Sequence, residues 1–170
     1  MVELEKTYLA KYLPNLDNCK FKEIIDIYIP KDEVHPFIRL RKNGEKFELT
    51  KKEPVDGKDS SEQIEQTIIL TEKEFEEFKK VGGKFLRKIR YYLNYNGKET
   101  EIDVFQDLLK GLVLVDFEFE TIEEKNSFEM PDFCLADVTQ ELFAAGGIVA
   151  GKKYEDLEPE LKKYGYKRIL

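Results

Sequence analysis

Histidine and cysteine are scarce in this chain, and their scarcity limits the chemistry open to it. His35 is the sole histidine, and Cys19 and Cys134 are the two cysteines. The cysteines stand apart, without the spacing of a metal site or a redox pair, which is typical of reduced thiols in a cytoplasm. The glycines form no Walker-type loop. These absences disfavour cysteine-based metal or redox sites and P-loop nucleotide binding.

Long apolar runs and an excess of positive charge are also missing. No signal peptide opens the chain, and no apolar run approaches the length of a transmembrane segment. Lys and Arg total 28 against 35 Asp and Glu, a net charge of −7, which disfavours non-specific binding to nucleic acid or to an anionic membrane. We therefore expect a cytoplasmic protein in which any basic site is local.

The residues that are present indicate a folded, mainly β protein. With 170 residues, 41% of them hydrophobic and 37% charged, the chain should form a single domain over residues 1–170. Seven or eight stretches alternate apolar with polar residues, the pattern of antiparallel strands with one buried face. Thr71 with Glu74, and Thr121 with Glu124, have the spacing of helix capping boxes. The sequence therefore predicts an α+β fold in which short helices flank a large antiparallel sheet.

Asn43-Gly44 predicts the first hairpin. Both residues tolerate the positive φ of a type I′ turn, and a two-residue loop there places Arg41 opposite Lys46. The predicted charged face carries Arg39, Arg41, Lys46, Glu48, Thr50 and Lys52. Because a like-charge pair is unfavourable, Arg41 against Lys46 indicates an anion bound between them.

Asn96-Gly97 predicts a second hairpin, in which Arg90 lies opposite Asp103. The charged face of this hairpin carries Lys88, Arg90, Glu101 and Asp103. Acidic strands accompany the two hairpins, with Glu3 and Glu5 on the first and Asp116 and Glu118 on the last. Such strands are usually half-buried with their charges in water, so the pattern leaves open whether these faces point into a closed barrel or out to solvent. The predicted helices are apolar on one side, so they should pack on the apolar face of the sheet and leave its charged face uncovered.

Taken in chain order, several motifs resemble the CYTH family, also called triphosphate tunnel metalloenzymes. The matching segments are Glu3-x-Glu5, Tyr28, Arg39-x-Arg41, Lys46, Leu49-Thr50-x-Lys52, Lys88-x-Arg90-Tyr91, Glu101-Ile102-Asp103-Val104-Phe105, Gly111-Leu112-Val113, Asp116-x-Glu118, Pro131, Asp137-Val138-Thr139 and Phe143. The resemblance implies a closed antiparallel barrel of eight strands, a tunnel with a charged interior. It also implies action on a triphosphate-containing compound with Mg²⁺ or Mn²⁺ as the cofactor.

The resemblance also implies roles for individual residues. The metal ligands would be Glu3, Glu5, Asp116 and Glu118. The catalytic residues would be Glu5, Tyr28 and Lys88. The substrate-binding residues would be Lys11, Arg39, Arg41, Lys46, Lys52 and Arg90. These residue types suit the chemistry, because arginine forks and lysines bind phosphate oxygens while Mg²⁺ prefers carboxylate, water and phosphate oxygens.

The first strand departs from the family at one position. The family signature is Glu-x-Glu-x-Lys, whereas Thr7 stands here at the position of the inward lysine, and Lys6 should point outward. In some members that lysine partners the tyrosine that Tyr28 matches. We expect another inward cation to replace the missing charge: Lys11, two side chains further along the same face, or Lys88 from a neighbouring hairpin. His35 should be a loop residue at the tunnel rim, opposite Lys52.

The predicted activity is metal-dependent hydrolysis of triphosphates, with inorganic triphosphate as the substrate, because the chain carries no appended module for a larger one. The enzyme alternatives are a nucleoside- or thiamine-triphosphatase and a class IV-type adenylate cyclase. A module that binds triphosphate or polyphosphate without turnover stays open as well, and Thr7 favours it. We expect no membrane partner and no nucleic-acid partner beyond a 5′-triphosphate end, while a homodimer is left open.

Overall fold

A computed structural model describes residues 2–170 of the chain. Within that range, nine strands form one antiparallel sheet: β1 (Val2–Ala10), β2 (Lys20–Ile29), β3 (Ile38–Asn43), β4 (Lys46–Pro54), β5 (Glu62–Leu70), β6 (Lys84–Tyr95), β7 (Lys98–Phe105), β8 (Val113–Phe119) and β9 (Cys134–Asp137). The strand order is β5-β4-β3-β2-β6-β7-β8-β1-β9, and β5 also pairs with β1. The first eight strands therefore close into the predicted barrel, and β9 adds to the edge of β1.

Short helices connect and cover the strands. They are α1 (Glu72–Lys79), α2 (Ile122–Ser127), α3 (Gly146–Val149) and α4 (Tyr154–Lys163), with 3₁₀ turns at Asp107–Leu109 and Leu142–Ala144. The Thr71 and Glu74 capping box starts α1 as predicted, because each side chain bonds the other's backbone N–H. None of the helices among residues 2–170 has the length and apolar character needed to cross a membrane.

The first hairpin has a different register from the predicted one. Its loop residues are Gly44 and Glu45, and Arg41 lies opposite Glu48 rather than opposite Lys46. Gly44 has a φ of 58°, and glycine at the first position of a two-residue loop is typical of a type II′ turn. The predicted like-charge pair, and the anion inferred from it, are therefore wrong. Each partner has moved by two residues, so the same side chains still share the charged face.

The second hairpin has the predicted register. Asn96 and Gly97 form its loop with φ values of 51° and 83°, the positive pair that a type I′ turn requires. Arg90 lies opposite Asp103, and Tyr92 lies opposite Glu101. The two hairpins, together with β1 and β8, carry most of the charged side chains that line the lumen.

Three apolar clusters stabilise the barrel, two outside its wall and one at its end. Outside, Phe75 of α1 packs on Ile27 and Leu40, and a second cluster around Phe117 covers β1, β7 and β8. The largest cluster closes one end of the barrel. There the strand residues Leu9, Tyr28, Leu86, Phe105 and Leu114 pack with Phe143, Val149, Leu157 and Leu161 from the C-terminal segment. One end of the lumen is therefore apolar and covered, which leaves the charged part for the middle of the barrel.

Candidate active site

The lumen of the barrel holds a cavity of ≈ 290 Å³ lined largely by charged side chains. Ten of the predicted site residues line it: Glu3, Glu5, Tyr28, Arg39, Arg41, Lys52, Lys88, Arg90, Asp116 and Glu118. They meet because residues two apart on a strand point to the same side, and closure of the sheet turns all these sides inward. The charged faces therefore point into the barrel rather than out to solvent.

Lys11 and Lys46 do not reach this cavity, contrary to expectation. The pairing of β1 with β9 shifts between Leu9 and Ala10, and Lys11 is exposed beyond the end of the strand. It therefore does not continue the inward face of β1 or replace a charge at Thr7. Lys46 is exposed at the tip of the first hairpin, where β4 begins, so its side chain lies outside the lining of the cavity.

Asp26 holds the arginines on the basic side of the lumen. It is fully buried, and the Arg41 guanidinium donates to both of its oxygens at 2.6 and 2.8 Å. Burial alone would raise the pKa of Asp26, but the charge and hydrogen bonds of Arg41 outweigh it and lower the pKa to about 2. Arg39 Nε lies 4.0 Å from Asp26 Oδ1, and this buried nitrogen has no hydrogen-bond partner among residues 2–170. One donor of the Arg39 guanidinium is thus left unsatisfied.

Asp103 anchors a second group of cations. Arg90 donates to both of its oxygens at 2.7 and 2.8 Å, and Lys88 Nζ bonds Asp103 Oδ2. Arg90 also pairs with Glu101. Burial raises the pKa of Asp103, but Arg90 and Lys88 outweigh it and hold that pKa well below its ordinary value. For Lys88 itself, burial together with Arg90 and Arg41 lowers the pKa of the ammonium despite Asp103.

Carboxylates crowd the other side of the lumen around one ammonium. Lys52 Nζ lies 2.9 Å from Glu3 Oε2 and 2.8 Å from Glu5 Oε2, and Gln63 donates to Glu5 Oε1 at 2.9 Å. Glu118 lies in the same lining, and burial followed by repulsion from Glu3 raises its pKa. Lys52 therefore holds two carboxylates together that would otherwise repel each other.

Thr7 bonds a carboxylate where the resemblance implied a cation. Its hydroxyl donates to Asp116 Oδ1 at 2.7 Å, while Arg90 Nη2 lies 3.9 Å from Asp116 Oδ2. Burial, and then repulsion from Asp103, raise the pKa of Asp116. Burial likewise raises the pKa of Glu101 to about 7, since Arg90 only partly offsets it. The acidic side of the lumen therefore holds more negative charge than its cations neutralise.

The donor set fits a divalent cation. Nine carboxylates and five lysine or arginine side chains line the cavity, a formal excess of four negative charges. Carboxylate oxygens are the ligands that Mg²⁺ and Mn²⁺ prefer. Among residues 2–170, no three His, Cys, Asp or Glu side chains are grouped closely enough to hold a metal as they stand. For Glu3 and Glu5 the reason is Lys52, because its ammonium lies between these two carboxylates, where a metal cation would bind.

Several lining or supporting residues received no role from the sequence. Asp26 lies mid-strand among isoleucines, and that isolated polar position was the available signal. Asp103 and Glu101 were already on the predicted charged face. Gln63 carried no signal, since its contact with Glu5 depends on closure between β5 and β1. His35 is among the lining residues of the cavity, but it does not lie opposite Lys52 as predicted. The backbone N–H of Lys52 donates instead to the carbonyl of Phe37 at 3.2 Å.

Tyr28 marks the boundary between the charged and the apolar part of the lumen. It is buried, and a Cβ built on Gly146 of α3 would come within 2.1 Å of its hydroxyl oxygen. Burial is the main reason why the pKa of Tyr28 is raised, so the phenol keeps its proton at neutral pH. Beyond Tyr28 the lining consists of apolar side chains, among them Leu86, Phe105 and Val138.

Solved structures share this architecture. The inorganic triphosphatase NE1496 is 22% identical, with a TM-score of 0.64 over 88% of this chain and 95% of that chain. The putative adenylyl cyclase HpAC1 from Hippeastrum, described as having a dominant triphosphatase activity, is 13% identical, with a TM-score of 0.52 over 96% of this chain and 88% of that chain. A putative adenylate cyclase from Bacillus halodurans is 14% identical, with a TM-score of 0.54 over 99% and 92% of the two chains.

The tunnel fold is shared. At identities of 22% or less, the likeness establishes the fold and not the activity. No protein-family model matches the sequence, and no curated protein is similar enough to match it. The resemblance to triphosphate tunnel metalloenzymes therefore rests on the ordered motifs of the sequence, on the closed barrel, and on the charged side chains inside it.

Proposed function

We propose that the protein hydrolyses triphosphate-containing compounds with Mg²⁺ or Mn²⁺, and that inorganic triphosphate is its substrate. The observation that carries the proposal is that the lumen has two chemically different sides. On one side, arginines are fixed by buried carboxylates, and on the other, several carboxylates lie close together around Lys52. A triphosphate and its metal need such a pair of surfaces. The shared fold with an inorganic triphosphatase and with a triphosphatase-active protein from Hippeastrum supports the same function.

The arginines are arranged to bind phosphate without large rearrangement. Arg41 and Arg90 are each fixed by two hydrogen bonds to a buried carboxylate, which orients their remaining N–H groups. Arg39 adds a third guanidinium to the cavity lining. Several fixed cations suit a linear triphosphate, which carries four or more negative charges, and pre-ordered donors avoid the entropy loss of ordering long side chains on binding.

Glu3, Glu5, Asp116 and Glu118 are the residues that would hold the divalent cation. When bound, the cation would neutralise phosphate charge and lower the pKa of a bound water. Lys88 and Tyr28 line the same cavity as proton-bearing groups. Since its pKa is lowered, Lys88 can pass a proton to a leaving phosphate oxygen more readily than an ordinary lysine, whereas Tyr28 acts as a hydrogen-bond donor.

The size of the cavity favours a small substrate. Its volume of ≈ 290 Å³ is at the lower limit of ligand pockets, and its apolar end is closed by α3 and the preceding turn. A nucleoside or thiamine group would have to remain away from this closed end. The small volume therefore supports inorganic triphosphate over ATP and thiamine triphosphate as the substrate. Binding without turnover is the second candidate, because Thr7 supplies no charge where the family signature has lysine.

Phosphate release from tripolyphosphate, ATP and thiamine triphosphate, each with Mg²⁺ and with Mn²⁺, tests the proposal. Glu5→Gln and Glu118→Gln should each reduce release from tripolyphosphate at least 10- to 100-fold, about the loss that even indirect metal contacts produce. Glu53→Gln is the matched control, because Glu53 carries the same charge on β4 and pairs with Lys51 outside the cavity lining. Thermal unfolding of each variant checks that the fold is intact.

The outcomes separate the candidate functions. Unchanged turnover in both lumen variants at limiting Mg²⁺ would rule out these carboxylates as metal ligands. Calorimetric binding of tripolyphosphate without release of phosphate from any of the three compounds would identify a binding module instead of an enzyme. Faster release from ATP or thiamine triphosphate than from tripolyphosphate would overturn the proposed substrate and keep the reaction.

A further inference from the structure

Thr7 is held in place through its backbone as well as through its side chain. Its N–H donates to Thr139 Oγ1 at 3.1 Å, and its carbonyl accepts from the N–H of Val138 at 2.9 Å. Thr139 is fixed in turn, since its N–H and its hydroxyl donate to Asp137 Oδ1 at 3.0 and 2.5 Å. The hydroxyl of Thr7 therefore points at Asp116 from a backbone that the seam between β1 and the start of the C-terminal segment keeps rigid.

Asp116 has two competing neighbours. Thr7 lies directly opposite it on β1 and donates to Oδ1 at 2.7 Å, within the usual range for a hydroxyl bonded to a carboxylate. On the other side, Arg90 Nη2 lies 3.9 Å from Oδ2, too far for a hydrogen bond but near enough to attract the carboxylate. Arg90 is already bonded to Asp103 through both of its oxygens.

Removal of the Thr7 hydroxyl would leave the cations Arg90 and Lys88 as the attractions on Asp116, and Arg90 would be the stronger of the two. A rotation about the side-chain torsions would then close the 3.9 Å gap and form a direct ion pair. In that pair, Asp116 would share its charge with Arg90, and Oδ2 would be bonded to a guanidinium instead of being open to a metal. A neutral hydroxyl prevents this without neutralising the carboxylate, whereas an ammonium at the same position would neutralise it.

We propose that Thr7 is a positioning residue for the divalent cation: its hydroxyl holds the Asp116 carboxylate away from a direct pair with Arg90, so that Oδ2 stays open to the metal. This inference rests on the proposed function, because it gives Asp116 a metal to bind. It also explains why threonine can stand at position 7, where the family signature has lysine. With Thr7 the charge of Asp116 remains for the metal, so no other cation has to replace the lysine.

The test measures the affinity of the free protein for Mn²⁺ by calorimetry, without any phosphate compound. Thr7→Val keeps the shape and removes the donor, so Mn²⁺ should bind about 10- to 100-fold more weakly. Thr7→Ser keeps the donor and should stay within about threefold of the wild type. Thr7→Lys should also weaken Mn²⁺ binding, because its ammonium would pair with Asp116. A site that merely lacked a cation would behave in the opposite way, with Thr7→Lys raising kcat.

Thr100→Val provides a matched control at the same carboxylate residue. The buried hydroxyl of Thr100 donates to the backbone carbonyl of Asp116 at 2.8 Å, so its removal should lower Tm and leave Mn²⁺ affinity unchanged. If Thr7→Val does not fold, Thr7→Ala replaces it, with Thr7→Ser as the reference. Equal Mn²⁺ affinity in Thr7→Val and the wild type overturns the inference, as does equal weakening in Thr100→Val. A wild-type protein that binds no Mn²⁺, with or without tripolyphosphate, overturns the proposed function itself.

Discussion

Replacement of Lys52 by methionine should change metal and phosphate binding in opposite directions. The Lys52 ammonium lies 2.9 Å from Glu3 and 2.8 Å from Glu5, and it occupies the space between two expected metal ligands. Burial opposes its charge, but Glu5 and Glu3 outweigh burial and raise the pKa of Lys52, so the side chain is fully protonated at neutral pH. A divalent cation must therefore displace this ammonium before it can bind both carboxylates.

The size of the effect follows from the exposure of the three groups. Their side chains are 21%, 27% and 17% exposed for Lys52, Glu3 and Glu5, so water screens each pair in part. Two unit charges 4 Å apart attract each other by about 1 kcal/mol in water and about 4 kcal/mol near a protein surface. With the lower value for each of the two pairs, displacement costs about 2 kcal/mol, which is about 30-fold in affinity. Lys52→Met should therefore bind Mn²⁺ about 30-fold more tightly.

Mn²⁺ titration by calorimetry at pH 8 gives the measurement. Tripolyphosphate affinity and kcat/KM should fall by about tenfold in the same variant, because the displaced ammonium is one of the cations that would face the phosphates. Lys51→Met is the control, because Lys51 is the neighbour of Lys52 on β4 and pairs with Glu53 outside the cavity lining. Unchanged or weaker Mn²⁺ binding in Lys52→Met would show that the ammonium and the metal do not compete, and the reasoning would fail.

Two further predictions concern stability. Because burial raises the pKa of Glu101 from 4.5 to about 7, the folded protein holds a proton there that the unfolded chain releases. The free energy of unfolding should therefore fall as pH rises from about 4.5 to about 7, by up to about 3 kcal/mol, and Glu101→Gln should lose this dependence in urea titrations. The same pH slope in both proteins would contradict it. Gly146→Ala should lower the free energy of unfolding by about 1–3 kcal/mol, because its Cβ would lie 2.1 Å from the Tyr28 hydroxyl. Tyr28→Phe should recover part of that loss, and an unchanged Tm in Gly146→Ala would refute the overlap.

The two hairpins show what local sequence can predict. At Asn96-Gly97 both loop residues have positive φ, so the register followed from the dipeptide. At Asn43-Gly44 the same glycine can serve as the second residue of a type I′ loop or the first residue of a type II′ loop. The second arrangement is formed, with Glu45 completing the loop. The predicted charged and apolar faces of this hairpin are still correct, because side chains alternate with a period of two and the register differs by two residues.

Features that depend on closure of the barrel could not be predicted. β1 ends at Ala10, where its pairing shifts against β9, a strand of four residues that no strand pattern in the sequence indicates. Lys11 is exposed beyond that end. The bond between Thr7 and Asp116 joins residues 109 positions apart, and the contact of Lys52 with Glu5 joins residues 47 apart. Such partners follow from the order of the strands and the closure of the barrel. The family resemblance implied the closure, whereas the alternation of residues indicated neither.

Closure of the apolar barrel end links the order of the chain to the order of folding. Leu157 and Leu161 of α4 complete the cluster that contains Leu9 and Leu86, and α4 follows all eight barrel strands in the sequence. During synthesis, the inward apolar ends of the strands therefore lack their cover until α4 has emerged. The charged middle of the lumen offers little help in that interval, since enclosed charges are costly to desolvate. The barrel would reach its final packing when α4 docks, and an arrested chain that ends before α4 would present Leu9 and Leu86 to water and to chaperones.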